Sequence, residues 1–257
     1  MTTRFQNTIK NKLYPASAVV LLLAVWQILS SCGAIPSFML PSPVDVAAAL
    51  VLNFPDLAAN SGVTLCEAFL GLFLGICVSF ILAVLMDLFE ILYKAAYPLL
   101  IISQTIPVVA IAPLLVLWFG YGMAPKVVLV FIVCFFPISV ALLDGFRSAD
   151  RDAIDMLRAM GAGKLQIFRH IKLPYALDGL FSGLKISVSY SVVGAVIAEW
   201  LGGDNGLGVY MTHVRKAYAF DKMFAVIFVI IIISLLLMWF VVLLQKRLRP
   251  DLQLKNK

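Results

Sequence analysis

Charged residues are scarce in this chain, since Asp, Glu, Lys and Arg together make up 13% of its 257 residues. Soluble domains carry about 25% charged residues, because a folded surface has to be solvated. The remaining composition is 62% hydrophobic, with a mean hydropathy of +1.01. Too little polar surface is available to cover a water-soluble core of this size. The composition therefore excludes a soluble enzyme, and it also excludes a disordered chain.

Histidine and cysteine are scarce too, with two and four residues respectively. The cysteines have no CxxC or other metal-ligand spacing, and three of them (Cys66, Cys77 and Cys134) lie in apolar stretches. We therefore predict that they act as small apolar residues, with no disulfide framework and no metal site.

A phosphate-binding P-loop is also absent from the sequence. Gly163-Lys164 is superficially similar, but Arg158 stands where the first glycine is needed and Leu165 where Ser or Thr is needed. We therefore expect this chain to have no ATP-binding site and to bind no cofactor.

Long apolar runs are what the sequence has instead. A membrane-spanning helix needs about 20 mostly apolar residues, and strands of an outer-membrane barrel are shorter. Six segments qualify, which predicts an all-α polytopic membrane protein formed by a single transmembrane domain, 1–257. The predicted spans are 13–31, 65–86, 96–119, 126–143, 180–200 and 223–244.

The net charge of +6 could indicate a nucleic-acid partner, but the basic residues lie between the apolar segments and so report membrane topology instead. With both termini inside, 15 of the 20 Lys and Arg residues fall on the inner side, six of them in the connection 144–179. Positive connections stay cytoplasmic, so we predict cytoplasmic termini. Leu29-Ser30-Ser31-Cys32 also fits a lipoprotein cleavage box, although the preceding apolar run is long for a signal peptide.

The third span contains Pro98, Pro107 and Pro113, so we expect it to be kinked or locally unwound. Backbone freed at membrane depth is tolerated only where it is buried in protein or lines a cavity. We therefore predict a translocation pathway along this span. Its neutral polar residues, the candidates for lining that pathway beside Pro107, are Ser103, Gln104 and Thr105.

Small residues recur at four-residue spacing in two spans, as is typical of close helix packing in membranes. Gly71, Gly75 and Ser79 form such a stripe in the second span, and we expect it to pack within one subunit. In the fifth span Gly179 and Gly183 begin a similar stripe, which continues with the hydroxyl-bearing residues Ser187 and Ser191. For this stripe we favour a surface facing the pathway or a partner subunit, with packing inside one subunit as the alternative. The pathway candidates here are Ser187, Tyr190 and Ser191.

Four ionisable residues lie near span ends, namely Glu67, Asp144, Lys185 and Glu199. The simplest explanation for each is that its side chain extends to the membrane interface. Glu199 is also a candidate for lining the pathway, because ionisable groups inside membranes are usually functional. No span carries a charge near its centre, which argues against a proton relay.

The connection 144–179, called the coupling segment below, is long for a turn between spans. Apolar residues recur over 153–160 at helical spacing, which predicts an amphipathic helix ended by Gly161 and Gly163. A second helix over 165–171 is expected to stop at Leu173-Pro174, because proline cannot continue it. Such a structured basic surface suits docking of another protein; the alternative is a helix lying on anionic lipid.

Within this segment Asp155-Met156-Leu157, Gly161, Ile171 and Leu173-Pro174 have the spacing of the Glu-Ala-Ala, Gly, Ile and Leu-Pro positions in the EAA loop. The chain therefore resembles the permeases of bacterial ABC importers, although Met156 and Leu157 depart from the two alanines. Further motifs make it similar to the nitrate, sulfonate and taurine group, which includes permeases for pyrimidine precursors of thiamine. They include Leu40-Pro41-Ser42-Pro43, Ile106-Pro107, Trp118-Phe119-Gly120, Ala198-Glu199-Trp200 and Gly206-Leu207-Gly208.

The resemblance implies a type I importer fold in a bacterial inner membrane. It implies three kinds of protein partner: an ATP-binding cassette subunit, a second permease copy and an external solute-binding protein. By resemblance, the residues that couple the chain to the ATP-binding subunit would be Asp155, Arg158, Gly161, Lys164, Ile171, Leu173 and Pro174. Of the basic residues in this segment, Arg158, Lys164 and Arg169 would contact that subunit or the anionic membrane surface. The alternatives are a gradient-driven transporter or channel and a scaffold without transport. The substrate stays open between sulfonate-like anions and pyrimidine-like or riboflavin-like heterocycles.

Overall fold

The computed structural model describes residues 2–32, 36 and 39–248, so the end of the basic tail, 249–257, lies outside the described residues. All regular structure within the described part is helical, which confirms the all-α class. The helices are α1 (Thr2–Ser31), α2 (Pro43–Leu52), α3 (Phe54–Leu88), α4 (Glu90–Ser103), α5 (Val108–Phe119), α6 (Met123–Arg147), α7 (Arg151–Ala159), α8 (Lys164–Ile167), α9 (Leu173–Leu201), α10 (Leu207–Lys216) and α11 (Phe220–Leu248). A π-helical turn, Phe168–Lys172, joins α8 to α9.

Four helical stretches of the described part are long and apolar enough to cross a membrane: α3, α6, Lys164–Leu201 and α11. Helices α4 and α5 together pass the same test but are bent by 101° at their junction, so they make a fifth span if counted as one. In the first predicted span only the shorter apolar stretch Ser17–Ser31 is found. Several membrane spans are therefore established, whereas six spans and cytoplasmic termini stay predictions.

The chain divides into two compact units, Met1–Ala58 with Met211–Val229, and Ala59–Tyr210 with Ile230–Lys257. In the first unit, Trp26 donates a hydrogen bond from Nε1 to the Pro41 carbonyl at 3.1 Å and stacks on Phe228 with ring centroids 6.0 Å apart. Helix α2 begins after Ser42, whose hydroxyl accepts a hydrogen bond from the Asp45 amide at 3.2 Å and so caps the helix. The single-domain organisation remains a prediction.

The second unit is centred on α6 and α9, which form its most extensive helix pair. Their core side chains, Cys134, Ile138 and Leu142 of α6 and Val188 and Val192 of α9, are almost completely buried. Apolar side chains alone cannot drive helices together in lipid, so close backbone approach has to contribute. The glycine and serine stripes supply that approach.

The stripe of the second span packs on α6, as predicted. A Cβ atom on Gly71 would lie 2.5 Å from the Val130 Cβ, so the helices could not come as close with any other residue there. Ser79 donates a hydrogen bond from its hydroxyl to the Phe135 carbonyl at 2.9 Å. This interface lies within one chain.

The stripe of the fifth span also packs on α6, so the prediction that it faces a pathway or a partner subunit is wrong for Ser187 and Ser191. Both side chains are buried. Ser187 donates to the Cys134 carbonyl at 3.3 Å, and Ser191 donates to the Val188 carbonyl at 2.8 Å. The hydroxyl groups satisfy backbone carbonyls inside the subunit, and no pathway is needed to explain them.

Candidate functional site

The first half of the coupling segment is an exposed amphipathic helix, α7. It begins after Asp150, whose carboxylate accepts a hydrogen bond from the Asp152 amide at 3.0 Å. No residue of α7 is buried, although Ile154 and Leu157 are half-buried. The helix therefore lies on the surface of the described chain and keeps most of its perimeter open.

A glycine break follows α7, as predicted. Gly161 has φ +82°, a left-handed conformation that side chains with a Cβ rarely adopt. The break is closed by the Ala162 amide, which donates to the Leu157 carbonyl at 2.9 Å. Helix α8 then starts after Gly163, whose amide donates to the Gln166 side-chain oxygen at 2.8 Å. The two helices of the segment are thus separated by a short, hydrogen-bonded glycine turn.

The expected stop at Leu173-Pro174 is wrong, because the helix continues from the second half of the segment into the fifth span. The π-helical turn shifts the hydrogen bonding by one residue, so that the Leu173 amide bonds the Phe168 carbonyl. Pro174 then falls in the first turn of α9, where a missing amide hydrogen is tolerated. The coupling segment is therefore joined to its span by one continuous helical stretch, Lys164–Leu201.

The second half of the segment is anchored to the helix bundle. Ile167 and Ile171 are buried. Phe168 lies against Phe146 of α6, with ring centroids 5.6 Å apart. Lys172 forms an ion pair with Asp87 at the end of α3, with its Nζ atom 2.8 Å from the carboxylate. Movement of the exposed half can therefore be passed to α3, α6 and α9 through these contacts.

The exposed half carries charge and bare apolar side chains together. Asp155 and Arg158 form an exposed ion pair at 2.9 Å. Met156, Met160 and Leu165 are 60%, 74% and 78% exposed. Large apolar side chains left open on a charged surface indicate a protein-binding site, since water alone would not favour them.

The break in the third span forms a second candidate site, as its prolines predicted. Helix α4 ends at Ser103, and Pro107 precedes α5. A cavity of about 230 Å³ lies at the break and is lined by Ser103, Gln104 and Tyr190 together with apolar residues. Thr105 is exposed and donates its hydroxyl hydrogen to the Ile102 carbonyl at 2.7 Å. The structure thus brings together three of the predicted pathway residues, taken from two different helices.

The Glu199 side chain lies inside the protein, so the prediction that it reaches out to the membrane interface is wrong for this residue. It is 2% exposed. Its Oε1 atom accepts a hydrogen bond from the Thr64 hydroxyl at 2.7 Å, and its Oε2 atom accepts one from the Gly208 amide at 2.5 Å. The Thr64 hydroxyl in turn accepts a hydrogen bond from the Leu207 amide at 2.9 Å. Glu199 therefore joins α3 and α9 to the start of α10.

Glu67 is also buried, with 1% exposure, where an interfacial position was expected. It pairs with Lys126, which the sequence analysis did not select, with 2.7 Å between Oε1 and Nζ. The Glu67 and Glu199 carboxyl groups also interact with each other. Glu67 lies at the start of the second predicted span and Lys126 at the start of the fourth, and this matching of an acidic and a basic residue was the signal that could have predicted the pair. Asp144 is exposed and Lys185 half-buried.

No group of three or more His, Cys, Asp or Glu residues in the described part of the chain could hold a metal ion.

Comparison with known proteins places these features in one family. Residues 71–250 match the family described as the inner membrane component of binding-protein-dependent transport systems. A probable ABC transporter permease protein of Haemophilus influenzae is 40% identical over 225 residues, which cover 88% of this chain and 92% of the relative.

Two further relatives have named substrates. The formylaminopyrimidine transport permease protein ThiX of Halalkalibacterium halodurans is 36% identical, with 87% of this chain and 90% of the relative covered. The riboflavin transport system permease protein RibX of Chloroflexus aurantiacus is 33% identical, with 85% and 82% covered. An inward-facing structure of the MetNI methionine ABC transporter has a chain with the same fold. Its TM-score is 0.63 at 22% identity, with 72% of this chain and 92% of that chain covered.

Proposed function

Because the chain belongs to the family of inner membrane components of binding-protein-dependent transport systems and is an ABC importer permease, we propose that its coupling segment transmits the motion of an ATP-binding subunit to the helices of the pathway. The coupling segment lies on the cytoplasmic side, together with both termini, and the chain crosses the inner membrane six times. The sorting of basic residues supports this orientation.

The observation that carries the proposal is the contrast between the two halves of the coupling segment. The first half exposes Met156 and Met160 on a charged helix, and the second half is buried through Ile167 and Ile171 and held by the Lys172–Asp87 ion pair. A segment that only covered lipid would have no need of the buried anchor. A surface that receives a partner and passes its movement inward needs both parts.

An exposed docking half and an anchored half imply that other proteins take part in transport. ATP and Mg²⁺ are bound by the ATP-binding cassette subunit, which contacts Asp155, Arg158, Gly161 and Lys164. A second copy of this permease completes the pathway, and an external binding protein delivers the solute. No nucleic acid takes part.

The pathway includes the broken third span. Ser103, Gln104 and Tyr190 offer neutral hydrogen-bonding groups at the 230 Å³ cavity, beside the exposed turn containing Thr105 and Pro107. Neutral polar groups can contact a solute without holding it tightly, which suits transport better than storage.

The test uses two glycines of the coupling segment in proteoliposomes that contain the permease, its ATP-binding subunit and the binding protein. Gly161→Val forces a branched side chain into a conformation with φ +82°, whereas Gly163→Val, at an ordinary φ of −73°, is the matched control. We expect Gly161→Val to lower solute uptake per ATP hydrolysed by about tenfold or more, a shift of ~1.4 kcal/mol in coupling. Equal coupling in the two variants would contradict the proposal.

The same proteoliposomes distinguish the alternative of a gradient-driven transporter. Uptake by an ABC importer requires ATP on the side of the ATP-binding subunit and survives collapse of the proton gradient. Uptake that continues without ATP and stops when the gradient is collapsed would favour the alternative.

A further inference from the structure

A second cavity, of about 570 Å³, opens at the end of α9 that is remote from the coupling segment. Its walls come from α3, the start of α6 and the chain that follows α9. The volume falls within the range of about 300–1,000 Å³ that is usual for small-molecule sites. This cavity does not share a residue with the one at the broken span.

Two consecutive glycines allow the chain after α9 to lie close to the other walls of this cavity. A Cβ atom on Gly202 would lie 2.5 Å from the Tyr121 ring, and one on Gly203 would lie 2.7 Å from the Lys126 Nζ atom. Side chains at these positions would therefore displace the ring and the ammonium group. The lining therefore combines glycine backbone, the Tyr121 ring and the buried Lys126 cation with apolar and polar side chains.

The polar groups of the cavity are arranged by depth. Lys126 lies at the floor, 4% exposed, and its ammonium group has three N–H donors. Within the described part of the chain its ammonium group donates one hydrogen bond, to Glu67 Oε1, so the other N–H groups can donate to a ligand. Asp204 and Asn205 are exposed at the rim and offer a carboxylate and an amide.

The charge balance of the cavity disfavours an anion. Glu67 already neutralises Lys126, and Asp204 adds a negative charge at the rim. A sulfonate or nitrate would approach that carboxylate without an unpaired cation to receive it. An uncharged ligand with hydrogen-bond acceptors at one edge and donors at the other fits better. Its acceptors would face Lys126 at the floor, and its donors would face Asp204 at the rim.

We propose that this cavity is a selectivity site for an uncharged planar nitrogen heterocycle of the aminopyrimidine class. Ring nitrogens or carbonyl oxygens accept hydrogen bonds from Lys126, amino groups donate to Asp204, and the ring lies against Tyr121. The inference rests on the proposed function, since the ligand is the solute in transit. It separates the two substrate classes that the sequence left open.

The test measures binding directly on the purified permease with its ATP-binding subunit, without the binding protein, by equilibrium dialysis. The probes are formylaminopyrimidine, riboflavin and taurine. We expect saturable binding of formylaminopyrimidine and none of taurine. We expect Tyr121→Ala and Asp204→Asn each to weaken formylaminopyrimidine binding by about tenfold, the scale of one stacking or charged hydrogen-bond contact. Tyr14→Ala, an exposed tyrosine on α1, is the control and should bind as the unaltered chain does.

Three results would overturn the inference: taurine binding that the same variants weaken, absence of formylaminopyrimidine binding, or binding unchanged by both variants. Riboflavin binding that the variants weaken would support the heterocycle class, and its absence with formylaminopyrimidine bound would narrow the class to single-ring ligands. ATP-driven uptake measured on the same preparation tests the proposed function separately. Its presence without heterocycle binding would refute only the selectivity site.

Discussion

The buried Glu67–Lys126 ion pair gives the sharpest stability prediction. Both side chains are almost fully enclosed, with side-chain exposures of 2% and 5%, and their charged atoms are 2.7 Å apart. Lys126→Met removes the ammonium group while keeping a side chain of similar length. The buried Glu67 carboxylate then has no cation beside it.

Removing one partner of a buried ion pair costs about 3–5 kcal/mol, because the remaining charge stays desolvated. For a chain of this size such a loss corresponds to a fall in melting temperature of the order of 10 °C. The double variant Glu67→Gln/Lys126→Met removes one carboxylate as well. We therefore expect it to be more stable than Lys126→Met alone, although it carries one more substitution.

Thermal unfolding in nanodiscs, followed by fluorescence-detected size-exclusion chromatography, measures these differences. Lys94→Met is the matched control, because Lys94 pairs with Glu90 at 2.9 Å with both side chains more than 70% exposed. Water and salt screen an exposed pair, so this variant should unfold almost as the unaltered chain does. Equal melting temperatures for Lys126→Met and Lys94→Met, or additive losses in the double variant, would refute the reasoning.

Three further predictions concern packing and anchoring. Gly179→Ala, whose Cβ would collide with an α6 carbonyl, should lower thermal stability by about 1–3 kcal/mol, whereas Gly62→Ala, with open space around it, should not lower it. Glu199→Ala should destabilise more than Glu199→Gln, by about 1–3 kcal/mol in the same assay, because it leaves the buried Gly208 amide without an acceptor, whereas the glutamine side-chain oxygen can still accept that hydrogen bond. Lys172→Met should reduce uptake per ATP hydrolysed, because it breaks the ion pair with Asp87. The double variant Asp87→Leu/Lys172→Met should recover thermal stability but not coupling. Recovery of both would show that the ion pair contributes to stability alone.

Features governed by composition and local chemistry were predictable from the sequence. The apolar runs predicted the membrane-spanning helices. The prolines of the third span predicted the break between Ser103 and Val108, and Gly161 predicted the end of α7. In each case the effect acts within a few residues of its cause.

Features that depend on distant partners were not predictable in the same way. Ser187 and Ser191 look like pathway residues until the backbone carbonyls that accept their hydrogen bonds are known. Glu67 looks interfacial until Lys126, 59 residues away, is placed beside it. Pro174 ends a helix by the local rule, but a π-helical turn moves it into a first turn, where it is tolerated.

Photo-crosslinking from the coupling segment tests the central claim most directly. A benzoylphenylalanine replaces Met156, which is 60% exposed on α7, or Leu52, which is 80% exposed on α2, in the assembled transporter. We expect the probe at position 156 to crosslink the ATP-binding subunit and the probe at position 52 not to do so. Absence of the crosslink at position 156 in a complex that still hydrolyses ATP, or a crosslink at position 52, would contradict the account.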